Sequence, residues 1–205
     1  MRIRYFVLLA GIVLLAAGIA IYASSAPSPL SSSQQAISNQ TPSMHVSIET
    51  FPFDESVNKA DAIVRVKINS KISELDSPAD KTIFQAEVLQ IYKDNKKLSE
   101  NFIDIMQAGT DKALSNKNEL LRKGDEIILF LMEAQSKPNT YWILGEETNM
   151  YDVTPHRIEK RARADAQLNE ISMEQDSNEA PGGKQMLNPS AFIEKLEAEI
   201  NSSTP

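Results

Sequence analysis

The 205-residue chain contains no cysteine. That absence removes disulfides, thiolate nucleophiles, thiolate metal sites and iron–sulfur clusters together. It also removes a lipid anchor of the bacterial type, which needs a cysteine at the cleavage site. Histidine is nearly absent as well, with only His45 and His156, far apart in sequence. Neither is accompanied by a G-x-S-x-G elbow, and no H-E-x-x-H, P-loop or G-x-G-x-x-G occurs. No nucleophile–base pair is recognisable, so no catalytic residue is assigned and no cofactor is expected. Net positive charge is also missing. Of 21 basic residues, Arg2 and Arg4 precede residue 44, leaving 19 against all 28 acids. Phosphate backbones repel such a surface, and nucleic acid is not an expected partner.

What is present begins at the N-terminus. Arg2 and Arg4 form a short positive region, and Tyr5 to Tyr22 then runs 18 residues without a charge. A spanning helix needs about 20 apolar residues and a signal-peptide core about 7–15. Two readings of residues 1–23 therefore stand: a retained signal anchor, or a signal peptide cut near Ala23-Ser24-Ser25. Both put the rest of the chain outside the cytoplasmic membrane, and the anchored form keeps its N-terminus in the cytoplasm. The membrane is thus a partner through this segment. Residues 24–43 are rich in Ser, Gln and Pro and too poor in large apolar residues to order themselves, which reads as a linker.

Residues 44–155 carry the periodicity of strands. Met44 to Thr50 alternates. Ala62, Val64, Val66 and Ile68 share one face of a strand whose other face carries Arg65 and Lys67. Phe84, Ala86 and Val88 repeat the pattern, as do Ile103 and Ile105. Ile127 to Met132 is almost continuously apolar, which predicts a strand buried on both faces. Tyr141 to Leu144 and Met150 to Val153 complete the set, and Phe53 to Lys59 reads as a short helical turn. Short strands joined by turns predict a mainly β fold, an antiparallel OB-like barrel or sandwich.

The succession ADAIVRVKI, TIFQAEVLQIYK, IDIMQAG, LLRKGDEIILFL and YWILGEETNMYDV resembles a family of small exported bacterial β-barrel domains of unassigned function. More distantly it is similar to netrin-like modules of OB-barrel type. The likeness spans residues 45–155 and its motifs describe core and turns. Netrin-like inhibitors depend on cysteines, which this chain lacks.

Residues 156–187 are charge-rich and low in apolar side chains, which predicts a solvated loop or helix, with a basic run at Arg157, Lys160, Arg161 and Arg163. Asn188-Pro189 then opens a C-terminal amphipathic helix over 188–201, Asn as cap and Pro at the first turn. Phe192, Leu196 and Ile200 mark its apolar face, expected to pack on the barrel or plug one end.

Candidate site residues are few. The acids Asp54, Glu55 and Asp61, and the pair Glu146-Glu147, lack the regular spacing of a calcium loop, so no metal is expected. Asp54 reads as a helix cap, and Glu146-Glu147 as a solvated hairpin turn. Tyr141 and Trp142 are adjacent on one strand, so one faces the core, with Trp142 preferred there. Trp142, Tyr141, Tyr151 and His156 form the candidate ligand surface. The expectation is an exported, tethered, non-enzymatic binding or scaffold domain, its partner an envelope protein or cell-wall glycan. The alternatives are an extracellular hydrolase built on carboxylates and His156, or an inhibitor of an exported protease presenting a loop near Met44 or Gly145.

Overall fold

The computed structural model describes residues 49–76, 79–96, 98, 101–114, 119–135, 137–173 and 184–203. Helix α1 (Phe53–Lys59) leads into a long hairpin of β1 (Ala62–Leu75) and β2 (Lys81–Asp94). Strand β3 (Phe102–Thr110) follows, with a two-residue partner β4 (Ala113–Leu114). Then come β5 (Glu126–Glu133), β6 (Thr140–Ile143), a 3-10 turn (Glu146–Asn149), β7 (Met150–Val153) and β8 (Ile158–Arg163). A second 3-10 turn (Ala166–Ile171), β9 (Lys184–Leu187) and α2 (Pro189–Ser202) complete the order.

Five of these strands close on themselves. β1 pairs β2 and β5, β2 pairs β3, β3 pairs β6 in parallel, and β6 pairs β5. The result is a closed five-stranded β-barrel. Closure leaves none of the five with an unpaired side along its paired length, the arrangement by which small β-proteins avoid edge association. Its interior holds Ala62, Val64, Val66 and Ile68 from β1, with Phe84, Ala86, Ile103 and Ile105 from β2 and β3. Those are the alternating positions the period of two selects. Gly124, at φ 94°, makes the tight turn into β5, and its N–H donates to the Ile68 carbonyl at 2.7 Å.

Strand β5 is buried on both faces. Ile127, Leu129 and Leu131 point into the barrel, whereas Ile128 and Phe130 point outward into a second core. That second core lies between the outer face of β1 and β5, the extension β7–β8–β9, and both helices. Phe192 of α2 sits 5.8 Å from the Phe53 ring and 4.9 Å from Tyr151, and Phe130 lies 6.0 Å from Phe53. The C-terminal helix thus packs on the outside of the barrel. Asn188 caps it, accepting from the Ala191 N–H at 3.1 Å, with Pro189 in its first turn.

Several expectations are corrected. Residues 158–163 and 184–187, expected as charged loop or helix, are antiparallel strands that extend the sheet beyond the barrel. The charge-rich composition masked a period of two, in which Ile158 and Lys160 share the covered face. Pro52, not Asp54, occupies the cap position of α1, and Asp54 lies inside the first turn, accepting from Glu55 N–H. The strand expected over 44–50 falls on residues 44–48, which lie outside the described residues, and Glu49 and Thr50 are irregular. The segment Tyr5–Tyr22 also lies outside them. Among the described residues no helix is long and apolar enough to cross a membrane.

The aromatic cluster makes the second core indispensable to the fold. Phe192→Ala empties its centre and is expected to cost about 3–5 kcal/mol. The check is the urea unfolding midpoint of the purified chain against wild type.

Candidate functional site

A cleft of about 980 Å³ opens beside the strands outside the barrel. One wall is the approach to α1 (Thr50 to Pro52), another the 3-10 turn Glu146–Asn149, and its floor is β8.

The turn is held by unusual backbone. Gly145 and Glu146 are consecutive left-handed residues, at φ 63° and 49°. Glycine takes that region freely, but for glutamate it stores about 1 kcal/mol or more of strain. A Cβ at Gly145 would stand 2.6 Å from Thr148 Oγ1 and 3.3 Å from the Glu49 carbonyl, so only glycine fits. Thr148 Oγ1 donates back to the Gly145 carbonyl at 2.6 Å, and Asn149 Nδ2 donates to the Leu144 carbonyl at 2.8 Å. These bonds hold the strained turn in place.

The outcome is two carboxyls carried inward rather than into solvent. Glu146 is 8% exposed and accepts from the Ala108 N–H of β3 at 3.3 Å. Burial pushes its carboxyl up to about 7. Glu147 is half-buried, and its Oε2 has no hydrogen-bond partner among the described residues. Burial raises its pKa also, against the opposing pull of Lys160.

Lys160 is the second half of the site. It is 3% exposed, donates to the Thr148 carbonyl, and lies 5.4 Å from the Tyr151 ring centroid. Burial brings its ammonium down to about 8, opposed by the charges of Asp165 and Glu147. Of the remaining charges of the cleft, Glu119 is largely exposed, 3.6 Å from Arg122, and the others are engaged by neighbouring groups. Arg161 grips Asp152 with two bonds of 2.7 and 2.8 Å and reaches Asp125 at 3.1 Å. Lys184 meets Glu159 at 2.8 Å. Asp165 caps the second 3-10 turn by accepting from Gln167 N–H, and Gln167 in turn accepts from the Asp54 N–H at 3.0 Å. Buried Gln185 satisfies both ends of its amide, giving to Asn169 and Ser172 and accepting from Asp165 N–H.

The residues chosen from sequence are dispersed. Tyr141 is 3% exposed inside the barrel and Tyr151 is fully buried in the second core, so neither ring offers a ligand surface. Trp142, preferred for the core, lies on the outer face instead. The register that pairs Tyr141 with Ile105 turns Tyr141 and Ile143 inward and leaves Trp142 outside. There it packs against Ile83, Met106 and Ala134 with Lys81 Nζ 4.8 Å from its ring centroid. His156 is exposed in the β7–β8 turn, at the end of β7 away from Glu146 and Glu147. Glu146-Glu147, expected as solvated, is the corrected case. Lys160 carried one sequence signal, its alternation with Ile158, hidden within a basic run. Among the described residues no group of three or more His, Asp or Glu side chains is placed to hold a metal ion.

No family model matches this sequence, and no curated protein matches it.

The buried Glu146 has a thermodynamic consequence. The folded chain holds that proton to about pH 7, whereas the unfolded chain releases it near 4.5. Between those values the folded form binds more protons, so stability falls as pH rises. The loss reaches up to about 3 kcal/mol. Glu146→Gln is expected to remove this part of the slope, read as the difference in urea midpoint between pH 4.5 and pH 8 for variant and wild type.

Proposed function

We propose that this chain is a non-enzymatic binding domain, exported and held outside the cytoplasmic membrane by its N-terminal segment. The observation that carries the binding reading is the cleft itself. It holds a buried lysine and, among the described residues, a carboxylate oxygen without a hydrogen-bond partner. A concave site of this size with a few uncommitted polar groups is the usual form of a ligand pocket. Export is supported by the charge-free run Tyr5–Tyr22 behind Arg2 and Arg4.

The barrel belongs, on this reading, to the OB type. Support comes from the connectivity: three meandering strands, a parallel β3–β6 closure and β5 returning beside β1. Five-stranded Greek-key barrels of that kind serve as binding modules. The same connectivity favours the resemblance to small exported β-barrel domains and, at greater distance, to netrin-like modules. The hydrolase alternative keeps the raised-pKa carboxyls Glu146 and Glu147 beside the cleft, but not His156, which sits in an exposed turn at the far end of β7. For the inhibitor alternative, the Gly145 turn is held by bonds within itself, Thr148 Oγ1 donating to the Gly145 carbonyl. The Met44 loop lies outside the described residues.

Two measurements test this. Cell fractionation is expected to find the chain in the membrane or the medium, and recovery in the cytosol refutes export. Immobilised full-length protein is expected to retain a component of the envelope fraction or of purified cell-wall glycan. Lys160→Met is expected to lower that retention at least tenfold, whereas His156→Ala leaves it unchanged. Retention of nothing by the wild type refutes the binding reading.

A further inference from the structure

We propose that the turn Gly145–Asn149 is a pH-operated latch: when Glu146 ionises, the turn lifts from the sheet and Lys160 beneath it opens to the cleft. The device goes beyond the binding reading, because the turn moves whether or not a ligand enters.

Two polar contacts tie the turn to the body of the molecule. Glu146 accepts from the Ala108 N–H of β3, its two oxygens sharing that one hydrogen at 3.3 and 3.4 Å. Thr148 offers its carbonyl to Lys160 Nζ. Within itself the turn is stiff. Thr148 Oγ1 and the Thr148 N–H both donate to the Gly145 carbonyl, at 2.6 and 3.2 Å, and Asn149 Nδ2 donates to the Leu144 carbonyl at 2.8 Å. Its ends are fixed, since the Leu144 N–H donates to the Phe130 carbonyl at 2.8 Å and Met150 pairs Leu129. Such a segment moves as one piece about Leu144 and Met150. Glu146 stands in the left-handed region at φ 49°, and lifting the turn releases that strain.

The Glu146 carboxyl is where the closed turn is weakest. It is 8% exposed, and among the described residues the one charge acting on it is that of Glu147, of its own sign. Beside it β3 carries the uncharged Gln107 and Ala108, and β5 and β6 bring Leu129, Leu131, Ile143 and Leu144. From β8 comes Lys160, whose ammonium turns to the Thr148 carbonyl and feels Asp165 behind it. Glu49, whose carbonyl comes near Gly145, is exposed. A neutral carboxyl is tolerated in that setting. A carboxylate loses its hydration, and one long hydrogen bond does not replace it.

The sign of the effect follows from burial. The closed turn holds the proton to about pH 7, whereas a carboxyl in water releases it near 4.5. Opening therefore releases a proton between those values, so the open fraction rises with pH by about tenfold per unit there and levels off above. Glu147, raised by burial as well, acts in the same sense. Lys160, brought down to about 8, titrates above that window and in the opposite sense.

Amide hydrogen exchange of the full-length chain in detergent micelles, corrected for intrinsic rates, tests the latch. Protection of the Ala108 and Thr148 amides is expected to fall by about a hundredfold from pH 4.5 to pH 7 and to change little above it. At pH 7 it is expected to lie at least about tenfold below that of Val64 and Val66 in the barrel, the mark of a local opening. Glu146→Gln is expected to keep Ala108 and Thr148 protected throughout. At a fixed pH of 7, acetic anhydride is expected to acetylate Lys160 about tenfold faster in wild type than in Glu146→Gln, read by mass spectrometry. Protection that is flat with pH, or equal to that of the barrel at every pH, overturns the latch. Equal acetylation of Lys160 in the two proteins does the same, as does loss of the pH dependence in Glu147→Gln with its retention in Glu146→Gln. Should Glu146→Gln fail to fold, the wild-type profile of Ala108 and Thr148 against Val64 and Val66 decides alone.

Discussion

Strand β5 has to hide both of its faces, and the rest of the architecture answers that demand. One face, Ile127, Leu129 and Leu131, is covered by closing five strands into a barrel. The other, Ile128 and Phe130, would lie on the outside of that barrel in water. It is covered instead by α1, α2 and the three-strand extension, through the rings of Phe53, Tyr151 and Phe192. At about 25 cal/mol per Å² of apolar area removed from water, an outer face of this kind supplies a large share of stability to a chain without disulfides.

The extension that covers β5 also creates the cleft. β8 must present an apolar residue to the second core at Ile158, and period two then turns Lys160 the same way. The consecutive left-handed residues Gly145 and Glu146 tuck the 3-10 turn against the sheet, which brings the Thr148 carbonyl to Lys160 and the two glutamates inward. Burial thereby pushes the amine and the carboxyls toward their neutral forms. Charged groups held in that condition are a common property of ligand sites, where an incoming partner restores the lost solvation. On the proposed binding reading, the segment that covers β5 would also form the site.

Much of the barrel was legible in the sequence. The alternation at Ala62 to Ile68 and at Phe84 to Val88, the continuous apolar run from Ile127, and the Asn188-Pro189 start of α2 all report local geometry, and each lies where its pattern put it. The site was not legible. Tyr141 and Trp142 differ in fate only through their register against β3 and β5, a non-local quantity. Glu146-Glu147 has the composition of a solvated turn, and its burial follows from left-handed backbone at a non-glycine residue, which no residue type announces.

By itself the sequence determined the absences and the periodicities: no thiol chemistry, no catalytic motif, strands of period two and a capped terminal helix. These follow from composition and from interactions among residues a few positions apart. Only the tertiary structure decided that a charge-rich segment would become β8, that Lys160 would lie beneath Thr148, and that Tyr151 would be sealed in a core. Those outcomes depend on what packs against each residue from distant parts of the chain, and burial sets the energetic state of a charge.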